Sequence, residues 1–436
     1  EGKLTPRFSP TGRGRHHLGP GSSLGAMGIF RSLRSVASFG APVLSPRKRR
    51  LAQAANIADL RLIARKRLPA GIFDYIDGAA EDEVSLVGNS AAFARFGFRP
   101  RVMRDVSVVD TTVSLLGHRL DFPIVFSPTG FTRIAHSQGE LAVARVAARH
   151  GLPYTLSTLS TRSIEEVAAV SNGPKWFQVY AWRDRSMVRD MLQRASAVGY
   201  DSIMLTVDTA VLGRRERDVR RGFTLPPKLG PGTIIDGITH PGWTWDFVRN
   251  DPITFANVAA SSNNGSGTAV TLSSFISEQF DPALSWDDID WFRREWPGTI
   301  TIKGIQTVDD ALIAADRGVD AVMLSNHGGR QLDGAPAPVS LVRPVVEALG
   351  GRVPVICDGG IRRGSDIVKA LALGATACTM GRSYLYGLGA AGEPGVELAL
   401  GMLTDEMVRT MRLCGARSIA ELTPDLITEL PHGGAR

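Results

Sequence analysis

Residues 325–333, SNHGGRQLD, combine groups that could take a proton from a small organic acid. His327 can exchange a proton near neutral pH, and Arg330 carries a planar pair of donors that suits a carboxylate. The two glycines between them let the backbone approach a ligand closely. An apolar run at residues 321–324 precedes the motif and is typical of a buried parallel strand. A base and a carboxylate clamp at the end of one strand therefore predict a site for a small acid.

Eight short apolar runs recur along the chain and alternate with helical patterns. The runs cover residues 123–130, 153–158, 175–181, 202–208, 299–304, 321–328, 354–360 and 377–382. The helical patterns between them cover residues 140–150, 164–170, 187–198, 308–317 and 366–373. Capping-box spacing opens two of these helices, at Ser163 with Glu166 and at Thr307 with Asp310. This alternation predicts an α/β fold, a (β/α)8 TIM barrel rather than an open sheet.

The predicted strands end in polar or charged residues, and active sites of such barrels form at the carboxyl ends of the strands. In chain order the ends carry Pro128, Thr129 and Gly130, then Ser157, Gln178, Tyr180, Thr206, Asp208, Lys303, Ser325, His327, Asp358, Gly360, Gly381 and Arg382. The last two ends are rich in glycine and have Arg362 and Arg382 nearby, which favours a phosphate site. We therefore expect a phosphorylated ligand across the barrel mouth, with Lys303 stabilising an anion there.

Two segments outside the repeating pattern bear on the site. Before the barrel, helices are predicted over residues 57–67 and 72–82, and the second contains Tyr75. Between the fourth and fifth strands lies an insertion with a Ser/Asn/Gly-rich stretch at residues 260–268 and the aromatic residues Trp243, Trp245, Phe247 and Phe255. We favour a lid, or a loop packed on the barrel or on a neighbouring subunit. Peripheral contact with a membrane through residues 230–265 stays open as the alternative.

The net charge of +7 originates in the N-terminal part of the chain. Residues 1–55 contain ten of the 50 Lys and Arg residues and one of the 43 acidic residues, so the remainder holds 40 basic and 42 acidic residues. This balance gives no reason to expect a nucleic acid partner. Residues 1–55 are rich in Gly, Ser, Pro and Arg and are predicted to be a disordered basic extension. Residues 56–436 are predicted to form the barrel domain.

The remaining sequence features concern location and metals. Met27 is the suspected translation start, and neither a signal peptide nor a membrane-spanning run is evident. The three cysteines, Cys357, Cys378 and Cys414, are too few and too scattered for a disulfide framework or a zinc site, so no metal is expected. Cys357 and Cys378 lie in apolar strand patterns, as small core residues do. A reducing cytoplasm fits these features.

These motifs resemble the FMN-dependent L-2-hydroxy acid dehydrogenases and oxidases, a family that includes L-lactate dehydrogenases, glycolate oxidases and mandelate dehydrogenases. The resemblance covers about residues 56–423 and is carried by SNHGGRQ at 325–331, LTVDT at 205–209, GRRERD at 213–218, DGGIRRG at 358–364 and KALALGA at 369–375. It implies FMN as the cofactor and a small 2-hydroxy acid as the substrate. The electron acceptor, whether a quinone, a cytochrome or oxygen, stays open. A homotetramer is also implied.

Carried over by position, the resemblance gives roles to the substrate-side residues. His327 would be the catalytic base and Asp208 its partner, because a nearby anion stabilises the imidazolium that forms. Tyr75 and Arg330 would bind the substrate carboxylate. The other substrate contacts implied are Arg215 as a second cation, Tyr180 at the substrate hydroxyl, and Gly130 and Leu159 in the pocket wall.

The resemblance also gives roles on the flavin side. Lys303 would lie beside the pyrimidine ring and favour the anionic reduced flavin. Contacts to the ring system are implied for Pro128, Thr129, Gly130, Ser157, Gln178 and Thr206. Contacts to the ribityl chain and phosphate are implied for Ser325, Asp358, Gly360, Arg362, Gly381 and Arg382.

Two positions in the pocket wall depart from the glycolate oxidase pattern, which has alanine at 130 and tryptophan at 159. Gly130 and Leu159 would enlarge or reshape the wall, which disfavours glycolate. KWFQ at 175–178, HPGW at 240–243 and the long loop after the fourth strand resemble bacterial L-lactate dehydrogenases, so L-lactate is expected as the substrate. A bulkier acid of the mandelate type stays open, as do oxidase or dehydrogenase activity and a carbanion or hydride mechanism. A different FMN barrel, such as a type 2 isopentenyl diphosphate isomerase, and a flavin-binding protein without turnover are the rival interpretations.

Overall fold

The computed structural model describes residues 46–221, 231–261 and 278–430. By its contacts the chain divides into residues 1–49 and residues 50–436, and the fold below is that of the second unit. Of the extension predicted to be disordered, residues 46–55 are described and include a helix over Pro46–Ala52. Met27 and residues 262–268 of the Ser/Asn/Gly-rich stretch lie outside the described residues. The boundary between an extension and the barrel at residue 55 stays a prediction.

The strands in chain order are β1 (Phe96–Phe98), β2 (Val113–Leu115), β3 (His118–Leu120), β4 (Ile124–Phe126), β5 (Tyr154–Ser157), β6 (Lys175–Tyr180), β7 (Ser202–Thr206), β8 (Thr299–Ile305), β9 (Ala321–Leu324), β10 (Val355–Cys357), β11 (Ala377–Met380) and β12 (Ile427–Glu429). Strands β4 to β11 pair in parallel and close into a barrel. Two short antiparallel pairs, β1 with β12 and β2 with β3, lie outside it. The eight predicted runs are therefore the eight barrel strands, and the predicted TIM barrel is confirmed.

The helices in chain order are α1 (Pro46–Ala52), α2 (Ile57–Arg67), α3 (Ala70–Asp77), α4 (Val84–Ala91), α5 (Gly139–Arg149), α6 (Ile164–Ala169), α7 (Arg185–Ala197), α8 (Glu216–Arg220), α9 (Pro231–Thr239), α10 (Pro241–Val248), α11 (Ala256–Ser261), α12 (Asp288–Glu295), α13 (Val308–Asp316), α14 (Pro338–Leu349), α15 (Gly364–Ala372), α16 (Arg382–Ala391) and α17 (Glu393–Cys414). The capping box at Ser163 forms as predicted, with reciprocal bonds to Glu166. No helix within the described ranges is both long and apolar enough to cross a bilayer.

The barrel core explains why the strand pattern is so apolar. Strands β4, β5, β7, β9, β10 and β11 are buried along their whole length, since helices cover the outside of a parallel barrel and side chains fill the inside. Cys357 and Cys378 lie in this core as free thiols, as the strand patterns indicated. The core thus holds the strand ends rigidly around the mouth.

The helix predicted over residues 72–82 is shorter than expected. Helix α3 ends at Asp77, where the Gly78 N–H donates to Asp74 O at 2.7 Å. Gly78 is already extended, with φ −74° and ψ 167°. Glu81 and Glu83 then have positive φ angles of 47° and 62°, so the chain does not resume a right-handed helix there. The early end places Tyr75 on the last turn of α3, next to a loop that reaches the barrel mouth.

Candidate active site

His327 and Asp208 come together across the barrel mouth from the ends of β9 and β7. His327 Nδ1 lies 2.9 Å from Asp208 Oδ1, and the Asp208 side chain is only 1% exposed. Because the Nδ1–H of His327 donates to the Asp208 carboxylate, Nε2 remains available for proton transfer. Burial and the charge of Lys303 lower the pKa of His327, with Asp208 opposing them. His327 is therefore neutral near pH 7 and able to accept a proton.

Asp208 remains ionised despite its burial. Burial raises its pKa, but His327, through its hydrogen bond and through its charge once protonated, and Lys303 outweigh that effect, so the pKa lies below its ordinary value. A fixed negative charge beside His327 stabilises the imidazolium that proton transfer would create.

The loop that carries His327 has an unusual backbone held by specific hydrogen bonds. His327, Gly328 and Gly329 all have positive φ angles, of 56°, 65° and 76°. Asn326 exchanges two side-chain hydrogen bonds with Asn89 of α4, at 2.7 and 2.8 Å. The Asn326 side-chain oxygen also accepts from the Gly329 N–H. These contacts explain how the protein maintains a strained histidine at the mouth.

Arg330 and Tyr75 form the predicted pair at the opposite side of His327. The guanidinium carbon of Arg330 lies 5.0 Å from the Tyr75 ring centre, and that of Arg215 lies 5.8 Å from it. Arg330 Nη1 donates to the main-chain oxygens of Tyr75 and Gly78 at 2.7 and 3.2 Å. Two guanidinium groups around one phenol ring create a positive pocket that suits a carboxylate.

The two cations influence each other. Burial, followed by the charge of Arg215, lowers the pKa of Arg330 to about 9. The Arg215 guanidinium lies 3.8 Å from Asp218, which also lines the cavity. A bound carboxylate would offset the repulsion between the two arginines, so the site is organised for an anion.

Three strand ends next to Lys303 are joined by a chain of side-chain hydrogen bonds. Ser157 Oγ donates to Gln178 Oε1 at 2.9 Å, and Gln178 Nε2 donates to Thr206 Oγ1 at 3.1 Å. The chain fixes the amide orientation of Gln178 and presents polar atoms along β5, β6 and β7. Such a row of donors and acceptors can form hydrogen bonds along one edge of a polar heterocycle.

Asp358 organises the opposite wall, at the end of β10. It accepts hydrogen bonds from Ser127, Ser325 and Thr379, and Lys303 Nζ lies 3.9 Å away. Burial raises the pKa of Asp358, but Lys303 and the hydroxyl groups outweigh that effect and keep it ionised. The carboxylate lines the cavity, where it can accept hydrogen bonds from ligand hydroxyl groups.

The arginines predicted to bind phosphate lie at the remaining end of the cavity. Arg362 donates to Ile361 O at 2.8 Å. Arg382, the first residue of α16, donates to the main-chain oxygens of Ile76, Gly78 and Gly328 at distances of 3.0, 2.7 and 2.8 Å. Arg382 therefore also ties the loop after α3 to the loop of His327. A helix N-terminus with two arginines matches the chemistry of a phosphate group.

One cavity of about 500 Å³ joins all these groups. It is lined by every site residue predicted from the sequence except Asp208 and Ser325, which lie behind His327 and Asp358. The donor set fits FMN, because a cationic end suits the phosphate, Asp358 suits the ribityl hydroxyls, and Gln178 and Lys303 suit a polar ring. These residues could therefore hold FMN.

Several lining residues were not predicted from the sequence to contact a ligand. They are Ile76, Ser127, Thr209, Leu212, Asp218, Phe255, Phe280, Gly328, Gln331, Gly359, Ile361, Thr379 and Leu385. Asp218 belongs to the GRRERD motif, so its proximity to Arg215 was the available signal. Phe255 and Phe280 come from the insertion and its far end, and nothing local in the sequence shows that they reach the cavity.

A closed parallel barrel with a histidine–aspartate pair, a carboxylate clamp and a phosphate end defines an oxidoreductase of the flavin-dependent type. The chain belongs to the family described as FMN-dependent dehydrogenase, which it matches over residues 64–429. The expected fold, FMN as cofactor and FMN-dependent oxidation of 2-hydroxy acids are thereby confirmed. The flavin-binding protein without turnover is not favoured.

Individual relatives agree with this assignment. A putative L-lactate dehydrogenase of Mycobacterium tuberculosis is 45% identical over 405 residues, which are 93% of this chain and 96% of that protein. The glycolate oxidase of Spinacia oleracea is 40% identical over 368 residues, 84% of this chain and 94% of the relative. The crystal structure of the monotopic membrane protein (S)-mandelate dehydrogenase superposes with a TM-score of 0.83 at 38% identity, covering 86% of this chain and 100% of that one.

Proposed function

We propose that the protein oxidises L-lactate to pyruvate and that His327 is the base. The observation that carries the proposal is the placement of the His327–Asp208 pair and the Arg330–Tyr75 clamp in one cavity. Arg330 and Tyr75 bind the substrate carboxylate, Arg215 adds a second positive charge, and Tyr180 contacts the hydroxyl group. His327 accepts the proton and Asp208 stabilises the imidazolium. FMN, when bound, supplies the acceptor of the two electrons.

Lys303 acts as a fixed cation at the centre of the site. It is 4% exposed and donates from Nζ to Ser325 Oγ at 3.2 Å. Its Nζ also lies 3.9 Å from Asp358 Oδ2, and its charge lowers the pKa values of Asp208 and Asp358. In that position its charge stabilises negative charge that develops on a bound heterocycle.

The pocket wall supports lactate over a bulkier acid. A Cβ atom at Gly130 would lie 3.1 Å from Leu159 Cβ and 3.2 Å from Leu159 O. Gly130 therefore allows the close approach of Leu159 instead of opening space for a substrate ring. A relative from Caulobacter vibrioides is named L-lactate dehydrogenase, and the Mycobacterium tuberculosis relative is named as a putative one.

Anaerobic reduction of the flavin tests this function. L-lactate added to the purified yellow protein without oxygen is expected to bleach the flavin absorbance rapidly. Admission of air then separates an oxidase, which regains its colour at once, from a dehydrogenase, which needs a quinone or cytochrome. Bleaching by (S)-mandelate but not by lactate would contradict the substrate. Failure of all 2-hydroxy acids to bleach the flavin would contradict the activity.

We further propose a cytoplasmic homotetramer that touches the membrane through helices α9 and α10. The support for membrane contact is an apolar surface on these two helices and the monotopic membrane character stated for the mandelate dehydrogenase above. Exposed apolar residues elsewhere, Val102, Met103 and Val108, support contacts between subunits. Light scattering of the purified protein measures the subunit number directly.

A further inference from the structure

Part of the insertion between β7 and β8 contacts the loops of other strands of the barrel. Its residues 243–257 contact the loops after β4 and β5, which lie three and two strands away from β7 in the barrel. Trp243 Nε1 donates to Ile134 O at 2.8 Å, and Arg133 Nη2 donates to Asp251 O at 2.7 Å. The Ala256 N–H donates to Ser160 O at 3.1 Å. Residues 243–257 are therefore attached to loops that form part of the cavity wall.

Asn257 fixes the position of this segment. It is fully buried, and its side chain uses both ends of its amide group. Oδ1 accepts from the Ile164 N–H at 2.9 Å, and Nδ2 donates to Ser160 Oγ at 2.9 Å. If the segment around Asn257 moved by one residue along this loop, both hydrogen bonds would be lost.

Phe255, two residues earlier, lies in the cavity wall. It is 2% exposed, and its ring centre lies 5.3 Å from that of Phe131. The Phe131 N–H in turn donates to Leu159 O at 2.9 Å. Phe255 thus belongs to the same patch of wall as Gly130 and Leu159, the residues at the side-chain end of the proposed substrate pocket.

We propose that Phe255 determines specificity by limiting the size of the substrate side chain, and that Asn257 is the positioning residue for it. The inference rests on the proposed oxidation of a 2-hydroxy acid and adds the residue that restricts the acid to a short chain. Leu159 lies close to Gly130 and accepts a hydrogen bond from the Phe131 N–H. The Phe255 ring, beside Phe131, completes this part of the wall. Removal of this ring would create an apolar space that a longer substrate chain can fill.

The test compares flavin reduction by L-lactate and by L-2-hydroxyhexanoate in the purified holoenzyme. Phe255→Ala and Phe255→Leu are expected to raise kcat/KM for the longer acid relative to lactate by about tenfold or more. Phe247→Ala is the matched control, because Phe247 lies in the same insertion outside the cavity and should leave the ratio unchanged. FMN content and Tm of each variant report on folding, and Phe255→Leu retains a large apolar side chain if the alanine variant is unstable.

Asn257→Ala adds a readout that separates positioning from general structure. If Asn257 positions Phe255, this variant shifts the ratio of kcat/KM for the two acids in the same direction as Phe255→Ala. A general structural defect would instead slow the oxidation of both acids equally. An unchanged ratio in both Phe255 variants, with FMN bound and lactate oxidised, would overturn the proposal. If no 2-hydroxy acid reduces the flavin of the wild-type protein, the proposed function itself is refuted, before any variants are compared.

Discussion

At the scale of single residues, the proposed chemistry depends most on Nε2 of His327. Replacement of His327 by glutamine keeps a polar side chain of similar length but removes the proton acceptor. We expect His327→Gln to retain FMN and to reduce the rate of flavin reduction by L-lactate by about 10²- to 10⁴-fold, as measured by anaerobic stopped-flow absorbance. His118→Gln is the control, since His118 pairs with Asp201 at the surface. Wild-type rates in His327→Gln would exclude His327 as the base.

The charge of Asp208 controls the pH dependence of the same step. Activity requires neutral His327, so the rate should rise with pH through a pKa below the ordinary value of His327, because burial and Lys303 lower it. Asp208 acts in the opposite direction and raises that pKa. Asp208→Asn is therefore expected to move the acidic limb of the kcat/KM profile to lower pH. The same change lowers the plateau by about 10²-fold, because the imidazolium loses its counter-charge.

The surface pair provides the matched comparison for Asp208. Asp201→Asn removes an aspartate 2.8 Å from His118, and we expect no change in the pH profile from it. An acidic limb in Asp208→Asn at the same or higher pH than in wild type would contradict the proposed electrostatic role.

At the scale of elements, Glu140 at the start of α5 connects two loops of the cavity wall. It is completely buried, and its Oε1 accepts from the Thr161 and Thr132 N–H groups at 2.7 and 3.3 Å. Thr161 Oγ lies 2.7 Å from Oε2. These bonds hold the loop after β4, which carries Gly130, against the loop after β5. We expect Glu140→Ala to lower the free energy of unfolding by about 2–4 kcal/mol, because it leaves buried N–H groups unpaired.

Glu140→Gln separates the hydrogen bonds of Glu140 from its charge. Burial raises the pKa of Glu140 in the folded protein, so its contribution to stability is complete below the ordinary glutamate pKa and decreases as pH rises through the raised value. Glutamine can keep the bonds to Oε1 and does not titrate. The stability of Glu140→Gln relative to wild type should therefore increase with pH in denaturant titrations. A relative stability that falls with rising pH would contradict this assignment, and exposed Glu347→Gln serves as the control.

The elements differ in how far local sequence determines them. The eight strands were predictable because each is a buried apolar run between helices. The strands β4, β7, β9, β10 and β11 nevertheless end two to four residues before the predicted runs do. The end of α3 was not predictable, since Glu81 and Glu83 adopt positive φ angles in a loop that docks on Gly329 and Arg214. The backbone conformation of this loop thus depends on contacts with residues that are distant in the sequence.

The site residues also differ in how far the local sequence predicts their position. Asp358 directly follows β10, and His327 and Arg330 lie in the loop after β9, so their place at the barrel mouth follows from the fold. Phe255 and Phe280 reach the cavity only because the insertion crosses two strands and docks on Ser160 and Ile134. Composition shows that the insertion is aromatic, but which of its rings points inward depends on that docking. Of the four aromatic residues, Trp243 packs on the core while Trp245 and Phe247 are exposed.

At the scale of the whole molecule, exposed apolar side chains are concentrated on α9 and α10. They are Ile234, Ile235, Ile238, Trp245, Phe247 and Val248. Arg249 lies over the Trp245 ring, with its guanidinium carbon 4.7 Å from the ring centre. Apolar and aromatic side chains flanked by a cation are typical of a helix that rests in the interfacial region of a membrane. Trp243 and Asp246 of α10 bond to Ile134 and Ser137 in the loop after β4, and none of the exposed apolar residues lines the cavity. The proposed membrane contact would therefore leave the cavity free.

Membrane contact and catalysis can therefore be separated by mutation. We expect the double variant Ile238→Glu with Trp245→Glu to lose co-sedimentation with vesicles of phosphatidylcholine and phosphatidylglycerol, because carboxylates are repelled by anionic lipid and cannot enter the apolar layer. Its flavin reduction by L-lactate in solution should match wild type, since neither residue lines the cavity. Leu62→Glu with Leu413→Glu, a matched change at exposed apolar residues of α2 and α17, should keep vesicle binding. If the α9–α10 variant instead alters the subunit number measured by light scattering while binding vesicles normally, the surface joins copies of the chain and the membrane assignment is wrong.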